Sequence, residues 1–560
     1  MTWTADGPQG NEAAKVRFDI VPYTRGIGLD LGCGPYKAWP HFIGVDNCTD
    51  TKLFGARFRP DVPVDTCEAL PLFATESMDF VFSSHLLEHI EDHKAALAEW
   101  WRVIKEGGHL VLYLPHKDLY PNIGQRGANP DHKHDFDPED VIAAVQRVAR
   151  RAGQSYDLLE YETRGEGIEY SFYLVFRKIA GTVCTRKAKS KAPKACVVRY
   201  GGFGDMLQAA SVFPGLKTQG FEVHVMTTPS GRDILKDDPH VDGFILQDKD
   251  QVQNEDLGAF WGCWERKFDK WINLSESVEA TWLAHPIRMS HRWPAAVRHK
   301  YLDVNYLEFA HELAGVPFKP AVRFYDTPEE QRWAREQRKQ DEYLIMFALS
   351  GSSHHKSWPH MDQAIAQILL DMPKARVILA GDMACKLLEA GWEAEPRVTL
   401  TSGEWKIRQT LAMAHQADCV VGPETGVLNS VAFAPFVRKV ILLSHSSVKN
   451  LCRDWKNAAA LAAGVPCYPC HRMHLTREFC PDHVVPVASQ PWADDEKLVE
   501  QMTAAGHIRD GFYRTGAAAC AGSIQAEDVV SAIRSDYERW RTRRDIQDQD
   551  AGSQCALSVG

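Results

Sequence analysis

The chain has 560 residues, 44% of them hydrophobic and 25% charged, ordinary proportions for globular protein but too many residues for a single core. A formal net charge of −10 lacks the basic field of a general nucleic-acid binder. No run approaches the ~18 apolar residues of a membrane span, and the polar start MTWTADGPQGNEAAK has no apolar stretch of the secretory type. These features predict a cytoplasmic enzyme of several compact units. The 14 cysteines are scattered, so buried thiols are expected, with metal binding where they cluster.

After a polar lead and a short helix within residues 1–25, apolar runs at Ile27–Leu31, Phe42–Asp46, Phe80–Ser84 and His109–Leu114 read as strands. A helix is expected over Asp92–Ile104, closed by Glu106-Gly107-Gly108. Another is expected over Asp137–Ala152, with Pro138 in its first turn. Tyr170–Arg177 reads as a strand closing the sheet edge. Such alternation implies a parallel sheet covered on both faces. Thr182–Lys194 has five basic residues and no apolar period, and reads as a solvated linker.

A second alternating pattern starts at Ala195. Strands are predicted at Cys196–Arg199, Val223–Thr227 and Gly243–Leu246, then a helix at Tyr301–Ala314. Polar residues 327–342 lead into another half, with strands at Tyr343–Leu349, Arg376–Ala380, Cys419–Val421 and Val440–Leu443. From about Arg543 the composition reads as disordered. The expected fold class is α/β. Its units are 1–181, a linker at 182–194, two Rossmann-like halves at 195–330 and 331–540, and a disordered tail at 541–560.

The run GLDLGCGPYK at Gly28–Lys37 is a strand followed by a glycine turn that lets a ligand approach the backbone. It lacks the third glycine of a dinucleotide fingerprint. Asp46 ends the next strand, where a carboxylate can accept both hydroxyls of a ribose. The segment DTCEALPLFATESMDFVFSSHLLEHIED follows at 65–92. Together, residues 26–116 resemble the class I S-adenosylmethionine-dependent methyltransferases. The resemblance implies a Rossmann-like domain that binds S-adenosylmethionine through Asp30, Gly32, Cys33, Gly34 and Asp46, with Asp65 at the adenine and Ser84 ending the fourth strand. Methyl transfer to a hydroxyl needs a proton acceptor, and His85, His116, His132 and His134 are the candidates. The run HKHDFD at His132–Asp137 reads either as metal-binding or as a loop before the helix at Pro138.

Three later segments carry a second chemistry. CVVRYGGFGDMLQAA at Cys196–Ala210 places Asp205 at a helix start, where capping alone would account for an Asp. FALSGSSHHKSWP at Phe347–Pro359 bears Lys356, and CVVGPETGVLNSVAF at Cys419–Phe433 opens a helix whose N-terminus suits a diphosphate. In this order they resemble glycosyltransferase family 9, the bacterial heptosyltransferases of GT-B fold, over residues 195–535. The resemblance implies inverting transfer from a nucleoside diphosphate sugar. Asp205 is then the general base, Lys356 holds the diphosphate, and Glu424, Thr425, Gly426 and Asn429 line the donor site. Glu424 and Asn429 stand where the family usually has Asp and His.

Cys467-Tyr-Pro-Cys470, Cys480 and Cys520 could complete a tetrahedral site for structural zinc or iron, with Cys452, His471 or His474 as substitutes. The alternative is buried thiols. The cluster resembles the cysteine-bound iron of heptosyltransferases that modify proteins. The combined expectation is a bifunctional glycan-modifying enzyme acting on a glycan, lipopolysaccharide or protein acceptor. The alternative is a glycosyltransferase acting on protein or modified viral DNA bases, with the methyltransferase-like domain serving only as a binding module.

Overall fold

The computed structural model describes residues 11–47, 52–53, 56–186, 191–248, 250–276, 293–339, 341–351, 353–472, 484–489, 493–505, 508–514 and 517–557. It divides into two units, residues 1–192 with 245–269, and residues 193–244 with 270–560.

The first unit contains β1 (Gly28–Leu31), β2 (Ile43–Asp46), β3 (Val62–Pro63), β4 (Met78–Ser84), α1 (His93–Val103), β5 (Ile104–Pro115), α2 (Pro138–Arg151), β6 (Gln154–Arg164), β7 (Ser171–Ala180) and β8 (Thr185–Arg186). They form one sheet in the order β8-β6-β7-β5-β4-β1-β2-β3. β1 pairs in parallel with both β2 and β4, and β4 with β5. β7 runs antiparallel between β5 and β6. The chain first grows to one side of β1 and then to the other, so the carboxyl ends of β1 and β4 flank a switch point, where open α/β sheets bind ligands. Asp92 caps α1 by accepting the N–H groups of Lys94 and Ala95. The helix buries Trp100 and Trp101, whose indole N–H groups reach the Cys67 carbonyl at 2.8 Å and Gln154 Oε1 at 2.9 Å.

Three local features differ from the sequence reading. α1 stops at Val103 and β5 begins at once, so Gly107, at φ +81°, lies within the strand beside a register shift opposite Met78 and Phe80. β7 lies inside the sheet, because β6 and β8 continue beyond it. β8 lies in the basic segment read as linker and pairs with Asp157 and Leu158.

Residues 245–269 also depart from the expected boundaries, because they belong to the first unit. Trp264 donates its indole N–H to the Phe18 carbonyl at 3.1 Å, and Arg17 meets Asp256 at 2.9 Å. Gln251 donates to the carbonyls of Val21 and Thr24. Asp19, 3% exposed, pairs with Arg164 at 3.0 Å and with Lys267 at 2.5 Å.

The second unit has two parallel sheets. The first contains β9 (Lys194–Val198), β10 (Glu222–Thr227), β11 (Gly243–Leu246) and β12 (Lys270–Asn273), in the order β11-β10-β9-β12. The second contains β13 (Tyr343–Ala348), β14 (Ala375–Ala380), β15 (Val398–Leu400), β16 (Cys419–Pro423), β17 (Arg438–Leu443) and β18 (Ala458–Ala462), in the order β15-β14-β13-β16-β17-β18. Each again has a switch point, β9/β12 and β13/β16. The helices used below are α3 (Phe203–Ala210), α4 (Pro229–Leu235), α5 (Pro328–Glu336), α6 (Ile407–Ala414), α7 (Gly426–Val431) and α8 (Ala526–Leu557). The helix expected over Tyr301–Ala314 is split into Ala295–Leu302 and Tyr306–Ala314, because Asn305 caps the second piece through the Glu308 N–H. α8 runs through much of the segment read as a disordered tail. Its Val529, Ile533 and Tyr537, four residues apart, pack in one cluster with Tyr343 and Ile345 of β13.

One apolar cluster runs from Val197 of β9 to Met346 of β13, joining the two halves of this unit. Arg408 of α6, 4% exposed, ties them further. Its guanidinium meets both carboxylate oxygens of Glu330 at 2.6 and 2.7 Å, Asp237 at 2.7 Å and the Asp233 carbonyl in α4 at 2.9 Å. Replacing Arg408 with Ala leaves the half-buried Glu330 carboxylate without its cation and should cost about 1.5–3 kcal/mol. A denaturant titration of the full chain should show the loss as an earlier transition for this unit.

Candidate active sites

In the first unit, six of the seven expected cofactor residues stand at the carboxyl ends of β1, β2 and β4, and Asp65 is exposed just after β3. Gly32, at φ +68°, donates its N–H to the Val45 carbonyl at 2.8 Å. A side chain there would press on Leu86 at 3.0 Å. Gly34, at φ +53°, has no atom within 4 Å of the place a Cβ would take. Its N–H donates to Asp46 Oδ2 at 2.9 Å, which holds the Asp46 carboxylate beside that open space. Asp30 accepts the Ala38 N–H at 2.8 Å and so closes the turn, and burial pushes its carboxyl up to about 7. Burial also pushes the Cys33 thiol up. The buried Ser84 hydroxyl at the end of β4 has no hydrogen-bond partner among the described residues. An open glycine turn, a carboxylate at the end of β2 and an unsatisfied hydroxyl fit a nucleoside.

The four candidate histidines separate by environment. His116 accepts the Asp118 N–H at 3.1 Å, and His134 Nε2 lies 3.0 Å from the Ile90 carbonyl, so both brace their own loops. His85, at φ +50°, has Nε2 2.9 Å from Ser171 Oγ, and burial drives its pKa down to about 3. His132 is 8% exposed and stacks edge-on against His89. The residue that sequence reasoning passed over is Glu88. It is 0% exposed, neither carboxylate oxygen has a hydrogen-bond partner among the described residues, and burial pushes it up to about 8. The signal was available in the sequence, as an acid enclosed by Leu86, Leu87 and Ile90.

In the second unit, the loops after β9, β13 and β16 come together. A Cβ built on Gly204 would lie 2.8 Å from Asn429 Nδ2 and 3.3 Å from the Gly426 Cα, so the two loops touch where both lack side chains. Gln208 donates to Asn429 Oδ1 at 3.1 Å, and Asn429 donates to the Thr425 carbonyl at 3.0 Å. Asp205 Oδ2 accepts the Gly202 N–H at 2.6 Å, and Oδ1 meets Arg199 at 3.2 Å. Gly201, at φ +126°, gives this carboxylate room, because a Cβ there would fall 2.1 Å from Asp205 Oδ2. The capping role open to Asp205 is therefore realised, while its side chain stays 19% exposed.

Lys356 is buried and donates to the Glu424 carbonyl at 2.7 Å, beside Thr425, whose buried hydroxyl has no hydrogen-bond partner among the described residues. The Glu424 side chain faces inward. It accepts the N–H groups of Ser444, His445 and Ser446 at 3.0, 3.2 and 3.1 Å, and lies 2.7 Å from His445 Nδ1. Burial alone would raise this carboxyl, but His445 and Lys356 outweigh it and hold it well below the usual range.

Of the expected metal ligands, Cys480 lies outside the described residues. Cys520 shares an apolar cluster with Val465 and Tyr468, which places it by the Cys467–Cys470 loop. Two other groups of ligand atoms converge among the described residues, Glu88-His89-His132 and His355-Glu424-His445. No described helix is long and apolar enough to cross a membrane.

Residues 29–112 match the family model described as a methyltransferase domain. This part of the chain is similar to methyltransferase domains. No curated protein matches the sequence. Among solved structures, the glycosyl transferase family 9 protein of Veillonella parvula is 14% identical, covering 62% of this chain and 97% of its own, at a TM-score of 0.41. The E. coli ADP-heptose lipopolysaccharide heptosyltransferase II is also 14% identical, covering 62% of this chain and 99% of its own, at a TM-score of 0.40. A Haloferax volcanii putative methyltransferase, solved with its Trm112 activator, is 16% identical, covering 30% of this chain and 89% of its own, at a TM-score of 0.24.

Glu424 carries a pH prediction. Its folded pKa lies below the ordinary ~4.3, so its contribution to stability is complete above that value and fades as pH falls through the folded one. Glu424→Gln should lower stability by about 3–5 kcal/mol near neutral pH, and the gap to wild type should narrow in acid. Unfolding midpoints measured for both proteins between neutral and acid pH would show it.

Proposed function

We propose that the chain is a bifunctional enzyme in which the methyltransferase domain uses S-adenosylmethionine and the second unit transfers a sugar from a nucleoside diphosphate donor to an acceptor hydroxyl. S-adenosylmethionine, when bound, supplies a methyl group on a positively charged sulfur. The chain's own share is to hold its nucleoside over Gly34, with Asp46 accepting ribose hydroxyls. For sugar transfer, the supporting observation is the meeting of the Asp205 loop with the Gly426 turn, next to Lys356 and the unsatisfied Thr425 hydroxyl.

In this reading Asp205 takes the proton of the acceptor hydroxyl, whose oxygen attacks the anomeric carbon as the bond to the diphosphate oxygen breaks. The electron pair leaves with the diphosphate, whose charge Lys356 and the Thr425 hydroxyl stabilise. To do so, Asp205 exchanges its contact with Gly202 for one with the acceptor while Arg199 stays 3.2 Å from its other oxygen. A heptose-like sugar and a glycan, lipopolysaccharide or protein acceptor follow from the family resemblance, and so does a structural iron or zinc on Cys467, Cys470, Cys480 and Cys520. Methylation of the newly attached sugar would explain one chain carrying both chemistries.

Two variants of the full chain test the two halves of this proposal. Asp205→Asn should lower sugar transfer by about 10²–10⁴-fold in a radiolabelled-donor assay, with S-adenosylmethionine binding unchanged. Asp46→Ala should weaken S-adenosylmethionine binding at least tenfold by calorimetry and leave sugar transfer intact. Wild-type sugar transfer by Asp205→Asn would remove the assigned base. S-adenosylmethionine binding without methyl transfer to any sugar product would make the first domain a binding module.

A further inference from the structure

We propose that Glu88, His89 and His132 form a divalent-cation site at the carboxyl edge of the first unit's sheet. Their ligand atoms all lie within 4.8 Å of one another, with Glu88 Oε1 3.9 Å from His89 Nε2. The site stands on the loop after β4, beside the switch point.

The unpartnered Glu88 carboxylate is the independent sign of a ligand. It is fully buried, and its neighbours His85 Nδ1 and His89 Nε2 stand at 3.7 and 3.9 Å, beyond hydrogen-bond reach. A buried carboxylate without a partner is costly, and a cation removes that cost. Glu424, also buried, differs in accepting three backbone N–H groups.

The backbone already holds the set together. The N–H groups of Lys133 and His134 both donate to the Glu88 carbonyl, at 2.7 and 3.2 Å, so the His132 loop is fastened to the Glu88-His89 turn. Metal–ligand bonds of ~2.0–2.2 Å put ligand atoms about 3–3.5 Å apart, so side-chain rotations of about an ångström close the set on an ion.

Two imidazoles and one carboxylate suit a first-row divalent ion and leave coordination positions open. Within the methyl-transfer reading, an acceptor oxygen would take one of them. A coordinated hydroxyl is more acidic, so its proton would pass to water as its oxygen takes the methyl group and the carbon–sulfur bond breaks, its electron pair staying on sulfur. The cation site itself stands on geometry and does not depend on that reading.

Manganese(II) is the probe, because nitrogen and oxygen ligands accommodate it and thiolates favour other ions, which separates this site from the cysteines. Metal-stripped full-length protein should take up manganese in an electron paramagnetic resonance titration. Glu88→Gln and His132→Ala should each weaken that uptake at least tenfold, with far-ultraviolet circular dichroism matching wild type. Glu88→Gln keeps the side chain's shape and serves if His132→Ala misfolds. Uptake by Glu88→Gln equal to wild type, or no uptake by wild type, overturns the proposal. The readout is independent of methyl transfer, so failure of the methyl-transfer reading would leave it standing.

Discussion

Parallel strands are buried on both faces, so the chemistry of such a sheet is confined to the loops at its carboxyl edge. That constraint organises each unit. In the first, Gly32, Gly34, Asp46, Ser84 and Glu88 come from separate stretches of sequence and meet because β1, β2 and β4 end on the same side. In the second, the turns after β9, β13 and β16 bring Asp205, Lys356 and Thr425 into one neighbourhood, held by the Gly204–Gly426 approach and the Arg408 network.

Two buried acids show how environment divides roles between like side chains. Glu424 is surrounded by donors and is ionised. Its work is to fix the Ser444–Ser446 turn, and through its main-chain carbonyl it anchors Lys356. Glu88 is also buried, but its carboxylate oxygens have no hydrogen-bond partner among the described residues, and its carboxyl is pushed up by burial. The first is a finished structural element, while the second is an incomplete one.

Much of this was legible in the sequence, because apolar runs of four to six residues with glycine turns report buried parallel strands directly. β1, β2, β4, β13 and β16 lie within a residue or two of their expected limits. β6 escaped notice because its Gln-Ser-Tyr-Asp pattern is only half buried. The cap expected at Gly107 failed because a glycine with positive φ serves a bulge as well as a helix end. Only the end of α8, from about Arg543, reads as disordered on composition, whereas the helix that packs Val529, Ile533 and Tyr537 runs on to Leu557. At the sites, residue identities were readable but directions were not. Nothing local says that Glu424 turns inward, and the isolation of Glu88 depends on what the fold leaves out of reach.

Residues 245–269 bear on how this protein can be dissected. The polypeptide leaves the first unit at 192, returns to it at 245 and leaves again at 269. A truncation ending in the basic segment would remove Lys267 from Asp19, Asp256 from Arg17 and the Trp264 cover from Phe18. The two units are thus interleaved along the chain, and no single cut leaves both of them intact. Evolutionary shuffling or laboratory splitting at that point would have to carry the inserted helix along.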